Sequence, residues 1–424
     1  MIRLVPLSVG GAIALPVMAG LAGTIAAAFG HLPALGFHGP TLDPWRDLFA
    51  MPGMWRSLGL SLWTGMAATF LALALAMASV PFLWGRFSGG AVARALAPLL
   101  AAPHAAMAVG LAFLIAPSGW LARLTSPWAT GWQRPPDLAT LNDSGGVALI
   151  LGLVVKEMPF LLMVLLAALR QLPVARSLAE ARALGHPPLA VWVFVVLPQA
   201  YRLIRLPVLV ALAFALSVVD MAILLGPSTP PTLALAVTRW MTAPDPAQML
   251  PAAAGAVAML GLTLVAVFAW SLGERLAGLT LAVARETGQR RDARWLSVWG
   301  LMGLGSWGLG CAALAVIAIW SFAHRWRFPD PVPGEWTTAT WAEPGAGWGQ
   351  TALATLGIGG AATALSLVLA IAWLEAQDRG GLPRGKWVLA IAVLPLVLPQ
   401  IGFLFGVTAA SLAIGLPGGA ATVT

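Results

Sequence analysis

Charge is scarce in this sequence. Asp, Glu, Lys and Arg together make up 9% of its 424 residues, against about 25% in an ordinary soluble domain. That is too little to cover several soluble domains with a water-facing surface, so a soluble globular protein is excluded. Lysine is nearly absent: Lys156 and Lys386 are the only two, and the net charge of +8 rests on arginine. The arginines are scattered through short segments between apolar runs and form no block or stripe, which argues against a nucleic-acid partner despite a pI near 11.2. One cysteine, Cys311, excludes an internal disulfide and any multi-cysteine metal site. A phosphate-binding Gly-Lys-Ser/Thr loop is missing too, since the one Gly-Lys pair, Gly385 and Lys386, is followed by Trp387. No catalytic residue, cofactor or metal site is expected, and the chain reads as a non-enzyme.

What is present is apolar: 59% of the residues are hydrophobic, and the mean hydropathy is +0.86. About 20 apolar residues in a helix cross the hydrocarbon core of a bilayer. Nine such runs are expected, over 4–29, 57–83, 95–117, 146–169, 203–226, 249–272, 296–322, 351–374 and 387–415. The fold class is therefore an all-α polytopic membrane protein embedded in a lipid bilayer. The first run is too long for a signal-peptide core and reads as a signal anchor. A cytoplasmic N-terminus leaves sixteen of the 24 Lys and Arg side chains inside and seven outside, with Lys156 inside a span, which is the distribution of an inner-membrane protein in that orientation. The external loops hold the turn-forming pieces and many tryptophans, among them Trp120, Trp128, Trp336 and Trp341. Gly303, Gly305 and Gly308 spell a dinucleotide pattern inside an apolar run and are read as helix-packing glycines.

The chain also repeats itself. Ser57 to Ala76 matches Thr351 to Ala370, with Ala67, Ala68 and Thr69 falling on Ala361, Ala362 and Thr363. Pro103, His104 and Gly110 fall on Pro399, Gln400 and Gly406. The near-constant offset divides the sequence into residues 1–295, with six spans, and 296–424, with three. The second copy breaks off at Thr424 in mid-pattern, and a fragment of a longer protein is expected, with pairing to a second copy of the chain as the alternative.

The most informative stretch is 170–205. Ser177 followed by Glu180 has the spacing of a capping box, so a short helix is expected to start at Ser177. Gly185 should end it, and Pro187 with Pro188 should prevent its continuation. A second amphipathic piece is expected to end at Leu197 and Pro198. This pattern resembles the EAA loop of binding-protein-dependent ABC transporter permeases: Glu-Ala-Ala, three residues, Gly, nine residues, Ile, one residue, Leu-Pro. In that register Ala179, Glu180 and Ala181 occupy the triplet, with the glutamate displaced by one position. Gly185 matches, Val195 stands for Ile, and Leu197 and Pro198 fall in place. The resemblance implies a permease subunit of a bacterial ABC importer, with residues 1–295 as one six-helix half and 296–424 as a partial second half. It implies cytoplasmic ABC ATPase subunits that engage the loop, a periplasmic substrate-binding protein, and ATP hydrolysis by the partner alone. The stretches 103–124, 156–162 and 217–237 look closest to the fused thiamine-type and ferric-iron-type permeases, which implies thiamine or a related small cation as substrate.

Lys156, Glu157 and Asp220 lie within apolar runs, where ionisable groups face protein or a wet cavity. Neighbours on a helix point about 100° apart, so the arrangement expected pairs Lys156 with Asp220 and leaves Glu157 towards the substrate pathway. The rival reading is an ion-coupled secondary transporter with Lys156, Glu157 and Asp220 as its proton relay. His104, following a proline, is read as a packed histidine.

Overall fold

A computed structural model describes residues 5–86, 89–286, 293–343, 347–380, 395–396 and 398–413. Lys386 and the pair it forms with Gly385, residues 387–394, 397 and 414–415 of the ninth expected span, and Thr424 lie outside them. The protein is an all-α polytopic membrane protein: among the described residues, eight helices are long and apolar enough to cross a membrane. The helices are α1 (Val5–Ala28), α2 (Asp43–Ala50), α3 (Met54–Leu83), α4 (Gly89–Ala101), α5 (His104–Ile115), α6 (Trp120–Thr125), α7 (Val147–Leu169), α8 (Val174–Ala183), α9 (Pro188–Val191) and α10 (Leu197–Ser217). They continue as α11 (Asp220–Leu225), α12 (Leu233–Met241), α13 (Met249–Glu286), α14 (Trp295–Ser321), α15 (Ala339–Ala342), α16 (Trp348–Gly380) and α17 (Gln400–Ala413). Two short antiparallel hairpins pair His31–Leu32 with Phe37–His38 and Ala323–Arg325 with Glu335–Trp336.

Two of the expected spans are interrupted. The run 95–117 is two helices, because Pro103 has no N–H to donate and disfavours helical backbone in the residue before it. The run 203–226 breaks at Val218, whose backbone is extended, after Ser217 has turned its hydroxyl back onto the Ala213 carbonyl at 2.9 Å. A new short helix then starts at Asp220.

The chain forms two compact units that interleave the sequence. One comprises residues 1–54, 237–261 and 337–424, the other 55–236 and 262–336. In the second unit α7 is the most enclosed span, with 72% of its most apolar window buried. Small residues let its neighbours approach. Gly152 sits under Leu225 and Met221, Gly310 of α14 faces Leu99 and Val155, and Gly303 is close to Ser79 and the Leu75 carbonyl. Of the three glycines read as packing residues, Gly303 has this role, whereas Gly305 and Gly308 face open space. At Gly110 of α5 the approach is to backbone, and a Cβ would overlap the Ala313 carbonyl of α14.

In the other unit α1 lies along α17. A Cβ at Gly406 would overlap the Gly20 carbonyl, and Gly23 also touches Gly406. Thr24 completes the seam: its hydroxyl donates to the Gly20 carbonyl at 3.0 Å and accepts the Gly406 N–H at 2.9 Å. Gly402 packs on Leu260 of α13. Helix α16 behaves differently, with none of its most apolar window buried. The two residues that the sequence comparison aligns, Gly406 and Gly110, each sit at a helix seam, α1 with α17 and α5 with α14.

Candidate functional site

The segment 170–205 forms a helix, a sharp turn and a longer helix. Helix α8 starts at Val174, three residues before the expected Ser177. Pro173 fixes the entry to the first turn and Val174 is buried at 2% exposure, so the chain is anchored there. Ser177 is an interior residue whose N–H bonds to the Pro173 carbonyl at 3.0 Å, and it caps nothing. Glu180 instead accepts from Arg176 Nε at 2.6 Å, one turn earlier on the exposed side. Ala179 and Glu180 are exposed, while Ser177, Leu178 and Ala181 are half-buried.

Gly185 ends the helix as expected. Its φ is +76°, its N–H bonds to the Arg182 carbonyl at 2.9 Å and the His186 N–H bonds to the Ala181 carbonyl at 2.9 Å. This is a Schellman cap, in which a left-handed residue satisfies the last free carbonyls and reverses the chain. Leu184, at 67% exposure, stands at the tip.

Beyond the turn, α9 passes through a π-helical turn over Trp192–Val196 directly into α10. Leu197 and Pro198 therefore do not end a helix. The π turn moves the Leu197 N–H onto the Trp192 carbonyl and accommodates the missing donor of Pro198, so one apolar helix runs from Pro188 to Ser217. Val195 faces outward at 38% exposure, whereas Leu197 is buried at 7%.

The expected Lys156–Asp220 pair does not form. Lys156, at 6% exposure, donates to the Leu99, Leu100 and Ala102 carbonyls at 2.6, 3.2 and 2.5 Å. These belong to the last turn of α4 and the residue before Pro103, where the broken helix leaves carbonyls without intrahelical donors. Three N–H donors of an ammonium meet three acceptors, and the positive charge sits at the negative end of a helix dipole. Asp220 instead opens α11 and accepts the Met221 N–H at 3.0 Å. Glu157 is buried at 5% exposure, and neither carboxyl oxygen has a hydrogen-bond partner among the described residues. His104 begins α5 with its ring 4.5 Å from that of Phe214, as a packed histidine.

Two arrangements escaped the sequence reading. Tyr201 and Arg205 of α10 converge on Glu274 of α13, with Trp270 Nε1 donating to the Tyr201 hydroxyl at 2.9 Å. The signal was available: Tyr201 is the only tyrosine, and Glu274 a rare acid, in a chain with little charge. Arg123, which looks like an ordinary loop arginine, is 5% exposed. It donates to the carbonyls of Ser118, Arg327 and Trp326, with its guanidinium 5.1 Å from the Trp326 ring. Nothing local to Arg123 reveals a partner two hundred residues away. Among the described residues, no group of three His, Cys, Asp or Glu side chains is placed to hold a metal.

No family model matches the chain. It is 32% identical over 225 residues to the inner membrane ABC transporter permease protein YnjC of Escherichia coli (strain K12), a match covering 53% of this chain and 42% of that relative. The chain thus matches less than half the length of the relative. The expected resemblance to ABC transporter permeases is borne out by this similarity.

Proposed function

We propose that the chain is a permease subunit of a bacterial ABC importer in the inner membrane, with a cytoplasmic N-terminus. Residues 1–295 and 296–424 are then one permease half and part of another. The observation that carries this reading is the turn at Gly185, which presents an exposed α8 and Leu184 on a stem that continues into a membrane span. In this reading α8, with Ser177, Ala179, Glu180 and Ala181, sits against an ATPase subunit, and Val195, Leu197 and Pro198 shape the stem. ATP binding by the partner moves α8, the spans shift from inward-open to outward-open, and a periplasmic binding protein delivers the substrate. The permease does no covalent chemistry. The substrate class is a small organic cation of the thiamine type, which accords with an excess of carboxylates over free cations inside the spans: Glu157 and Asp220 are unpaired with Lys156, whose charge is already engaged.

The rival proton relay is less well supported, because Lys156 is held on backbone carbonyls. Vesicles carrying the chain with its ATPase separate the two readings. ATP should drive uptake of thiamine or similar cations, and a proton gradient without ATP should not. Gly185→Val sharpens the test, since a β-branched residue is disfavoured at this φ. Insertion should survive while ATP-driven uptake falls at least tenfold. Wild-type uptake by this variant would remove the loop from the mechanism.

A further inference from the structure

The polar cluster between α10 and α13 is part of no expected site. Tyr201 and Arg205 lie one turn apart on α10, and Trp270, Ser271 and Glu274 occupy one turn of α13. Arg205 Nε reaches both carboxyl oxygens of Glu274, at 3.0 and 2.9 Å, and its Nη2 donates to Ser271 Oγ at 3.1 Å. The Tyr201 hydroxyl donates to the same carboxylate and accepts from Trp270 Nε1. Glu274 has a side-chain exposure of 17% and Arg205 one of 48%, so the carboxylate is largely covered while the guanidinium is half-exposed, and the pair is only partly screened by water. Five side chains thus lock one turn of each helix together.

Its position gives the cluster meaning. Tyr201 comes three residues after Pro198, on the helix that leaves the loop, and no break separates them. Upstream lies the π turn at Trp192–Val196, an irregularity that often marks a place where a helix yields. A displacement of α8 therefore passes the π turn and meets, at Tyr201, Arg205 and Glu274, an ion-paired cross-connection to a second span.

We propose that this cluster is the transmission clamp of the loop: it makes α10 and α13 move together, so that a push on α8 is delivered to two spans. The proposal rests on the reading of α8 as an ATPase-docking helix. Arg205 and Glu274 are positioning residues, acting through the helices they join.

The full-length chain is reconstituted with its ATPase, and uptake per ATP hydrolysed is measured for Arg205→Glu, Glu274→Arg and the double reversal. Each single reversal should lower that ratio at least tenfold while ATPase binding is retained, and the double reversal should recover it to within about threefold of wild type. Glu274→Gln, nearly isosteric, guards against misfolding and should lose about fivefold. Hydrogen exchange on the chain alone supplies a second readout: amides in 197–205 and 270–278 should lose protection in the single variants and regain it in the double. Unchanged uptake per ATP in Glu274→Gln and both single reversals overturns the clamp, as does a double reversal no better than its parents. Failure of the ABC reading looks different. Wild-type vesicles would then show no ATP-driven uptake at all, which overturns the transmission role together with that reading.

Discussion

The two seams, α5 with α14 and α1 with α17, are built from matched glycines, Gly110 and Gly406, yet their surroundings differ. At the first, Ile317 of α14 lies beside Gly110, and buried Met107, Leu111 and Leu114 line α5. At the second, Thr24 supplies hydrogen bonds along the contact. The helices before them diverge more sharply. Half of the most apolar window of α3 is buried, whereas none of the matching window of α16 is. Closely similar apolar sequence therefore does not dictate burial in a membrane protein. The seam follows from local small residues, but enclosure follows from neighbours, because lipid is as good a solvent for leucine as another helix is.

The largest effect is expected in the enclosed unit. Lys156→Met should leave the Leu99, Leu100 and Ala102 carbonyls without their donor, costing about 3–5 kcal/mol and most of the folded yield in detergent. Asp220→Asn should cost far less, and the two changes should add to within about 0.5 kcal/mol in a thermal-unfolding cycle. A larger coupling would restore the pairing that the geometry denies.

Next come the seams themselves. Gly110→Leu forces α14 away from α5 inside a packed core and should cost about 3 kcal/mol, against about 1–3 kcal/mol for Gly406→Leu, whose unit includes the unburied α16. Equal melting shifts for the two variants would mean that enclosure contributes nothing. Smaller again is a pair at one repeat position: Leu62→Ala, packed partly against the core, should cost about 2 kcal/mol. Its counterpart Leu356→Ala, on a residue 72% exposed, should stay within about 0.5 kcal/mol. A destabilising Leu356→Ala would reveal a protein neighbour on α16 rather than lipid.

Most of the membrane architecture was legible because apolar run length is nearly decisive once water is gone. The turn at Gly185 was legible too, since only a residue at ease with positive φ closes a Schellman cap. The start of α8 was not: Ser177 and Glu180 have capping-box spacing, but a buried Val174 behind Pro173 is a stronger anchor than a hydroxyl cap. The fate of Pro198 was hidden because a π turn leaves no mark in apolar periodicity. Lys156 was misassigned for a general reason. Sequence lists side-chain charges, but not the free carbonyls of a broken helix, which can hold a cation as well as a carboxylate does.

That last arrangement has a consequence for the break between α4 and α5. The C-terminal end of α4 is a negatively polarised pole, and burying it uncapped would be costly. With the Lys156 ammonium permanently tethered to Leu99, Leu100 and Ala102, the pole is neutralised from within the protein. The interruption at Pro103 is thereby fastened to α7 by one side chain.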